Sequence, residues 1–202
     1  MVFWKFTASC NSIWFWKSFG KVKYPLYLNR GHVYGMTMKS WKEKLEKKDL
    51  PKIVDIPERM KKRFGEGKMV VPSPMEVKDI MDKVPEGKLI TVSEIRKILA
   101  KKHNVRTACP LATGIFVWLV AIAAEETGGE RSSTPYWRTL KAKGVLNNKY
   151  PGGVERHKQL LEKEGFKVIK MGNNYKVDDF EKYLVDCEID IYANTYKRMA
   201  RQ

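Results

Sequence analysis

The sequence predicts a mainly helical α+β domain, winged-helix-like, built on a helix-turn-helix and closed by a small C-terminal β-hairpin. Three observations carry this. Thr91 and Glu94 stand three residues apart at the head of an apolar-periodic run, the mark of a capped helix start. A nearly unbroken apolar run, residues 108–124, follows after a short turn. Two strand-like stretches, residues 166–170 and 175–177, flank a Gly172-Asn-Asn174 turn.

Residues 1–35 differ from the rest, rich in Trp, Phe and Tyr, carrying Lys5, Lys17, Lys21, Lys23 and Arg30, and without an acid. Charges and Asn11 break the apolar residues, so the stretch is expected neither as a signal peptide nor as a membrane helix, which needs about 20 apolar residues. It reads either as a basic aromatic arm for a membrane surface or as an extension outside the folded domain, with Met36 or Met38 the natural start. Residues 36–83 read as a basic helical segment. Ser40 and Glu43 form a capping box for a Lys-rich helix, residues 51–57 break it, a second basic helix ends near Gly65, and residues 68–72 are extended. Pro74 starts a further helix with Val77, Ile80, Met81 and Val84 on one face.

The main domain is expected at residues 84–185. After the turn at Pro85, Thr91 caps a helix running through Lys102, with Ile95, Ile98 and Leu99 inward, and Asn104 ends it. The 108–124 run is short for a membrane span and reads as a helix buried on nearly all sides, its start marked by Thr107, Ala108 and Cys109. Residues 127–133 form a Gly/Ser loop leading to TPYWRT, a Lys-rich turn, a Tyr-Pro-Gly-Gly corner and an amphipathic helix. Beyond the hairpin, Asp178 is expected to cap a short helix at 179–185, and residues 186–202 form a basic tail.

Composition narrows the function. A chain of 202 residues, 43% hydrophobic and 11% aromatic, supports one well-buried core. Lys and Arg number 39 against 23 Asp and Glu, a net charge of +16 that raises affinity for polyanions through counterion release. Nucleic acid leads the partners, an anionic membrane surface follows, and solvated lysines on helix faces are the plain alternative. Cys10, Cys109 and Cys187 are odd in number and far apart, and His32, His103 and His157 are scattered. That pattern argues for a reducing cytoplasm and against a disulfide framework, a zinc site or a metal cluster, and no cofactor is expected.

The order of elements from Val84 to Gly165, about two-fifths of the chain, resembles the C-terminal domain of the methylated-DNA protein-cysteine methyltransferase family. These are suicide repair proteins that take an alkyl group from guanine. VPEGKLITVSEI is similar to the family's turn into its helix-turn-helix. TPYWRT stands where the family has Pro-Cys-His-Arg, and KYPGGVERHKQLLEKEG resembles its Tyr-x-Gly-Gly ending with a Leu-Leu helix and Glu-Gly stop.

The departures shape what the resemblance implies. The acceptor cysteine falls on Tyr136 and its histidine on Trp137, while the arginine is kept as Arg138. A phenol with a pKa of about 10 is a poor nucleophile at neutral pH. Glu164 matches the glutamate that orients the histidine. The stacking arginine falls near Cys109 and the flipping tyrosine on Val92, whereas Tyr150, Gly152 and Gly153 keep the pocket-shaping pattern. The resemblance therefore implies a non-catalytic alkyltransferase-like, monomeric DNA-binding protein recognising alkylated or flipped bases for DNA repair, with repair proteins as further partners. Arg106, Thr107, Cys109, Arg138, Lys141 and Lys143 are the expected DNA contacts. Tyr136, Trp137, Tyr150, Gly152, Gly153 and Glu164 are the expected base pocket, unless Tyr136 and Trp137 fill it as core aromatics. Two alternatives stay open: methyl transfer to Cys109, activated by the helix start and Arg106, and a protein-interaction module using the basic surface on an acidic partner.

Overall fold

The computed structural model describes residues 45–46, 49–128 and 134–186, and its first element departs from expectation. Between Pro51 and Pro57 the chain is not a break but a strand, Lys52–Asp55 (β1). It pairs antiparallel with Lys68–Val71 (β2), in register from Lys52↔Val71 to Asp55↔Lys68. The helix Glu58–Phe64 (α1) connects them and ends at Gly65, whose positive φ of 76° suits glycine. The 36–83 segment is thus mixed rather than purely helical, because a four-residue strand gains its hydrogen bonds from a partner distant in sequence. The Ser40–Glu43 capping box, residues 1–35 and the tail beyond Asp186 lie outside the described residues.

Pro74–Asp82 (α2) begins as expected, with Pro74 in the first turn and Ser73 as N-cap. The Ser73 hydroxyl accepts from the Glu76 N–H at 3.2 Å, and the Ser73 N–H donates to the Glu76 carboxylate at 3.1 Å, which completes a capping box. Val77, Ile80 and Met81 turn inward, and burying each side chain contributes about 1.5–3 kcal/mol. The two-residue strand Ile90–Thr91 (β3) runs into Val92–Lys102 (α3), where Thr91 caps through the Glu94 N–H and Ile95, Ile98 and Leu99 are buried as the spacing predicts.

The second long helix starts later than its apolar run. Thr107–Ala108 forms a strand (β4) parallel to β2, Cys109 is the N-cap, and Pro110–Glu126 (α4) begins at the proline. The segment joining α3 and α4 therefore contains a strand rather than a bare turn. Backbone groups of Thr107, Ala108 and Cys109 are drawn to Met69 and Val70, and the fixed φ of Pro110 sets the helix start. Along α4, Ala112, Phe116, Val117, Val120, Ala121 and Ala124 are buried, whereas Leu111 is 53% exposed. The helix packs against both α2 and α3.

After residue 134 the chain makes a 3-10 turn, Tyr136–Arg138, and the strand Thr139–Leu140 (β5), parallel to β3. A tight turn at Ala142–Gly144 and the Asn147–Gly152 corner lead into Gly153–Lys163 (α5), which buries His157, Leu160 and Leu161. Val168–Met171 (β6) and Asn174–Val177 (β7) form the expected hairpin, closed through Gly172 at φ 60°. The final helix is shorter than expected, a 3-10 turn at Phe180–Tyr183. Asp178 does not cap it, since its carboxylate pairs with Lys167 at 2.8 Å. The described residues fall within one compact unit, Lys39–Gln202. Among them, no helix is long and apolar enough to cross a membrane.

Candidate nucleic-acid interface

The loop that carries Tyr136, Trp137 and Arg138 is held from three sides. Parallel pairing of Thr139 and Leu140 with Ile90 and Thr91 fixes its exit beside the start of α3. Arg138 Nη1 donates to the Val84 carbonyl at 2.8 Å. The Glu164 carboxylate, at the end of α5, accepts from Arg138 Nε at 2.9 and 3.0 Å, from Arg138 Nη2 at 2.8 Å and from Trp137 Nε1 at 2.6 Å. Glu164 therefore orients an arginine and an indole. With the Arg138 and Glu164 side chains 13% and 12% exposed, this ion pair is desolvated enough to hold the loop firmly.

His157 supplies the fourth anchor, which its position as a lone histidine in an amphipathic helix did not reveal. It is completely buried, its Nδ1 accepts from the Asn147 N–H at 3.1 Å, and its Nε2 lies 2.7 Å from the Trp137 carbonyl. One nitrogen must accept and the other donate, so the neutral tautomer with its proton on Nε2 satisfies both. Burial pushes the imidazole pKa down to about 4, despite the two backbone hydrogen bonds.

The aromatic residues of the expected base pocket come together and close it. Tyr136, Trp137 and Tyr150 are 0%, 8% and 3% exposed. The Tyr136 ring meets Trp137 and Tyr150 edge to face, at centroid distances of 5.5 and 5.3 Å, and Tyr150 lies 4.9 Å from the His157 ring. A base stacking there requires one of these rings to move. The Tyr136 hydroxyl donates to the Glu125 carboxylate, and the Tyr150 hydroxyl donates to the Thr139 carbonyl at 3.0 Å. Burial raises the pKa of both phenols well above the ordinary tyrosine value, aided at Tyr136 by Glu125. Gly152, at φ 74°, turns the corner into α5, and a Cβ there would fall 2.6 Å from that of Arg156. Gly153 closes the corner, its N–H donating to the Tyr150 carbonyl at 2.9 Å.

The expected DNA contacts separate into two groups. Thr107 and Cys109 are 7% and 5% exposed, so the structure places both within the protein rather than on its surface. Their sheet pairing with β2 draws them in. Arg106 is exposed, but its Nε donates to the Phe64 carbonyl at 2.9 Å, at the end of α1. The cation beside the Cys109 loop is instead Arg96, which donates to the Ala108 carbonyl at 3.1 Å and the Thr107 hydroxyl at 2.9 Å and lies 4.9 Å from the Phe64 ring centre. Burial, then Arg63, lowers the Arg96 pKa, with Cys109 acting the other way. Arg138 is half-buried against Glu164, whereas Lys141 and Lys143 lie on the 141–149 turn, half-buried and exposed respectively. Among the described residues no three His, Cys, Asp or Glu side chains are grouped to hold a metal ion.

No family model matches the chain, and no curated protein matches it. Two crystal structures from S. pombe, of Atl1 and of ATL, resemble part of it. The one in complex with damaged DNA containing O6-carboxymethylguanine is 20% identical, covering 56% of this chain and 94% of that one with a TM-score of 0.41. The one described as in complex with DNA is 21% identical, with the same coverage and TM-score. A likeness of that size sets no individual residue of this chain against a residue of that protein.

Proposed function

We propose that this chain is a non-catalytic, alkyltransferase-like protein that binds DNA, presenting the α3–α4 pair and the basic 141–149 turn to the duplex. The observation that carries this is Tyr136. At the position where the resembled family has its acceptor cysteine, a wholly buried phenol donates to Glu125, with a pKa raised by burial. Such a group is a hydrogen-bond donor at neutral pH and not a nucleophile. The neighbouring Trp137 offers no general base, and Glu164 is committed to Trp137 and Arg138. The net charge of +16 supports a polyanionic partner. Methyl transfer to Cys109 gains no support, because the thiol is buried and Arg106 is engaged with Phe64.

The proposal extends to DNA repair. An alkylated or flipped base would enter by displacing Tyr136 from Glu125, and repair proteins would be recruited to the bound monomer in the cytoplasm. The test is fluorescence anisotropy with plain duplex, O6-methylguanine duplex and single-stranded DNA, on wild type and on Tyr136→Ala and Trp137→Ala. Expected are duplex binding with a steep salt dependence, tighter binding to the methylated duplex, and a change in that preference in the two variants. Absence of binding at low salt refutes the proposal.

A further inference from the structure

Among the described residues, no carboxylate pairs with the lysines gathered on the 141–149 turn. Lys141 Nζ donates to the Asn148 side-chain oxygen at 2.7 Å, a neutral partner. Burial, and then the charge of Lys149, lowers the Lys141 pKa, which marks like charges held close together. Lys143 is exposed with φ 61°, and the next residue, Gly144, lies so tightly under Phe180 that a Cβ there would sit 2.5 Å from the ring. That same ring carries Lys176 Nζ at 5.3 Å from its centre.

The backbone joins these positions into one surface. Lys141 N–H donates to the Val145 carbonyl at 2.8 Å, Val145 bridges Lys176, and Leu146 N–H donates to the Tyr175 carbonyl at 2.9 Å. The turn thus continues the β6–β7 hairpin edge. It also leaves β5, whose parallel partner β3 leads into α3, so the surface adjoins the start of the helix pair.

Three other lysines of the C-terminal half are matched by acids, Lys158 by Glu162 at 3.8 Å, Lys167 by Asp178 at 2.8 Å and Lys182 by Asp179 at 2.6 Å, whereas the exposed Lys170 on β6 has no such partner among the described residues. Asp179 also feels the charge of Lys176, but Lys182 holds it. Among the described residues, Lys141, Lys143, Lys149 and Lys176 have no ion pair. Confining cations without counter-charge is unfavourable, and an incoming anion relieves it. Among the described residues the exposed large apolar side chains are Ile53, Met75, Leu111, Met171 and Tyr183, none of them on the 141–149 turn. An interfacial membrane helix brings an apolar face to insert, whereas a phosphodiester backbone is met by charge and hydrogen-bond donors, which are what this turn offers.

We propose that Lys141, Lys143, Lys149 and Lys176 form a phosphate-gripping face that contacts the DNA backbone beside the helix pair and extends its footprint. This rests on the DNA-binding reading above. The test measures affinity of the full chain for a duplex between 50 and 200 mM salt, for wild type and the triple variant Lys143→Gln, Lys149→Gln, Lys176→Gln, with circular dichroism confirming the fold. Each lost phosphate contact lowers the slope of log affinity against log salt by about 0.9, so the triple variant loses about 2.7. Over this salt range its affinity then falls about 40-fold less than that of wild type. A wild-type slope in a folded triple variant overturns this inference alone. Failure of the wild type to bind DNA at 50 mM salt overturns it together with the reading beneath it.

Discussion

Acidification should loosen the fold through His157. Its imidazole is buried and neutral, accepting from Asn147 N–H and donating to the Trp137 carbonyl, so protonation turns the acceptor into a second donor facing a donor. Tyr150, 4.9 Å away, and Lys141 are the titratable groups around it, and neither supplies a negative charge for an imidazolium at neutral pH. The folded pKa is about 4, against about 6.5 in the unfolded chain. Because the folded value is depressed, its stabilising contribution is complete above the unfolded pKa and is lost as pH falls from about 6.5 toward 4. The unfolded state takes up the proton first, at about 1.4 kcal/mol per pH unit within that window. Between pH 7.5 and 5 the loss is about 2 kcal/mol, a sizeable share of the roughly 5–15 kcal/mol that holds a typical domain together. Urea unfolding followed by circular dichroism at both pH values measures it. His157→Gln keeps an acceptor and a donor without the titration, so subtracting its pH dependence cancels the carboxylates common to both proteins. Equal pH dependence in wild type and variant would show that His157 does not carry the effect.

Two further perturbations test how the pocket loop is held. Glu164→Ala strands the Arg138 guanidinium and the Trp137 N–H in a mostly buried site, and is expected to cost about 3–5 kcal/mol in urea unfolding; pairing it with Arg138→Met should recover part of that loss. A cost under about 1 kcal/mol would show the pair to be weak. Gly144→Ala combines a backbone at φ 74° with a Cβ 2.5 Å from the Phe180 ring, so a loss of about 2–4 kcal/mol is expected by thermal unfolding, and an unchanged midpoint would contradict the packing.

The elements with strong local signals were legible in the sequence. Thr91 with Glu94, the inward Ile95, Ile98 and Leu99, the Pro74 start and the Gly172 hairpin each depend on residues within a few positions of one another. The short strands were not. β1, β4 and β5 exist only because partners distant in the chain supply their hydrogen bonds, and Thr107-Ala108 looks from the sequence like the small-residue start of a helix. The same pairing that makes β4 takes Thr107 and Cys109 off the surface. At the candidate site, the sequence grouped Tyr136, Trp137, Tyr150 and Glu164, and the structure brings these side chains together. The inward turn of His157 and the reach of Arg96 to the Ala108 carbonyl were not, because a polar residue in an amphipathic helix carries no local mark of what it will meet. The clustering of Lys176 with the 141–149 turn likewise depends on the Val145 bridge and the Phe180 ring.

DNA binding and the absence of transfer at Tyr136 can be followed together in a single incubation. Duplex carrying a labelled methyl group on guanine is incubated with the full chain, and bound DNA and protein-attached label are measured in the same sample. Salt-sensitive retention of the duplex is expected, with the label remaining on the DNA. Label covalently attached to the protein, at Cys109 or elsewhere, contradicts the absence of transfer.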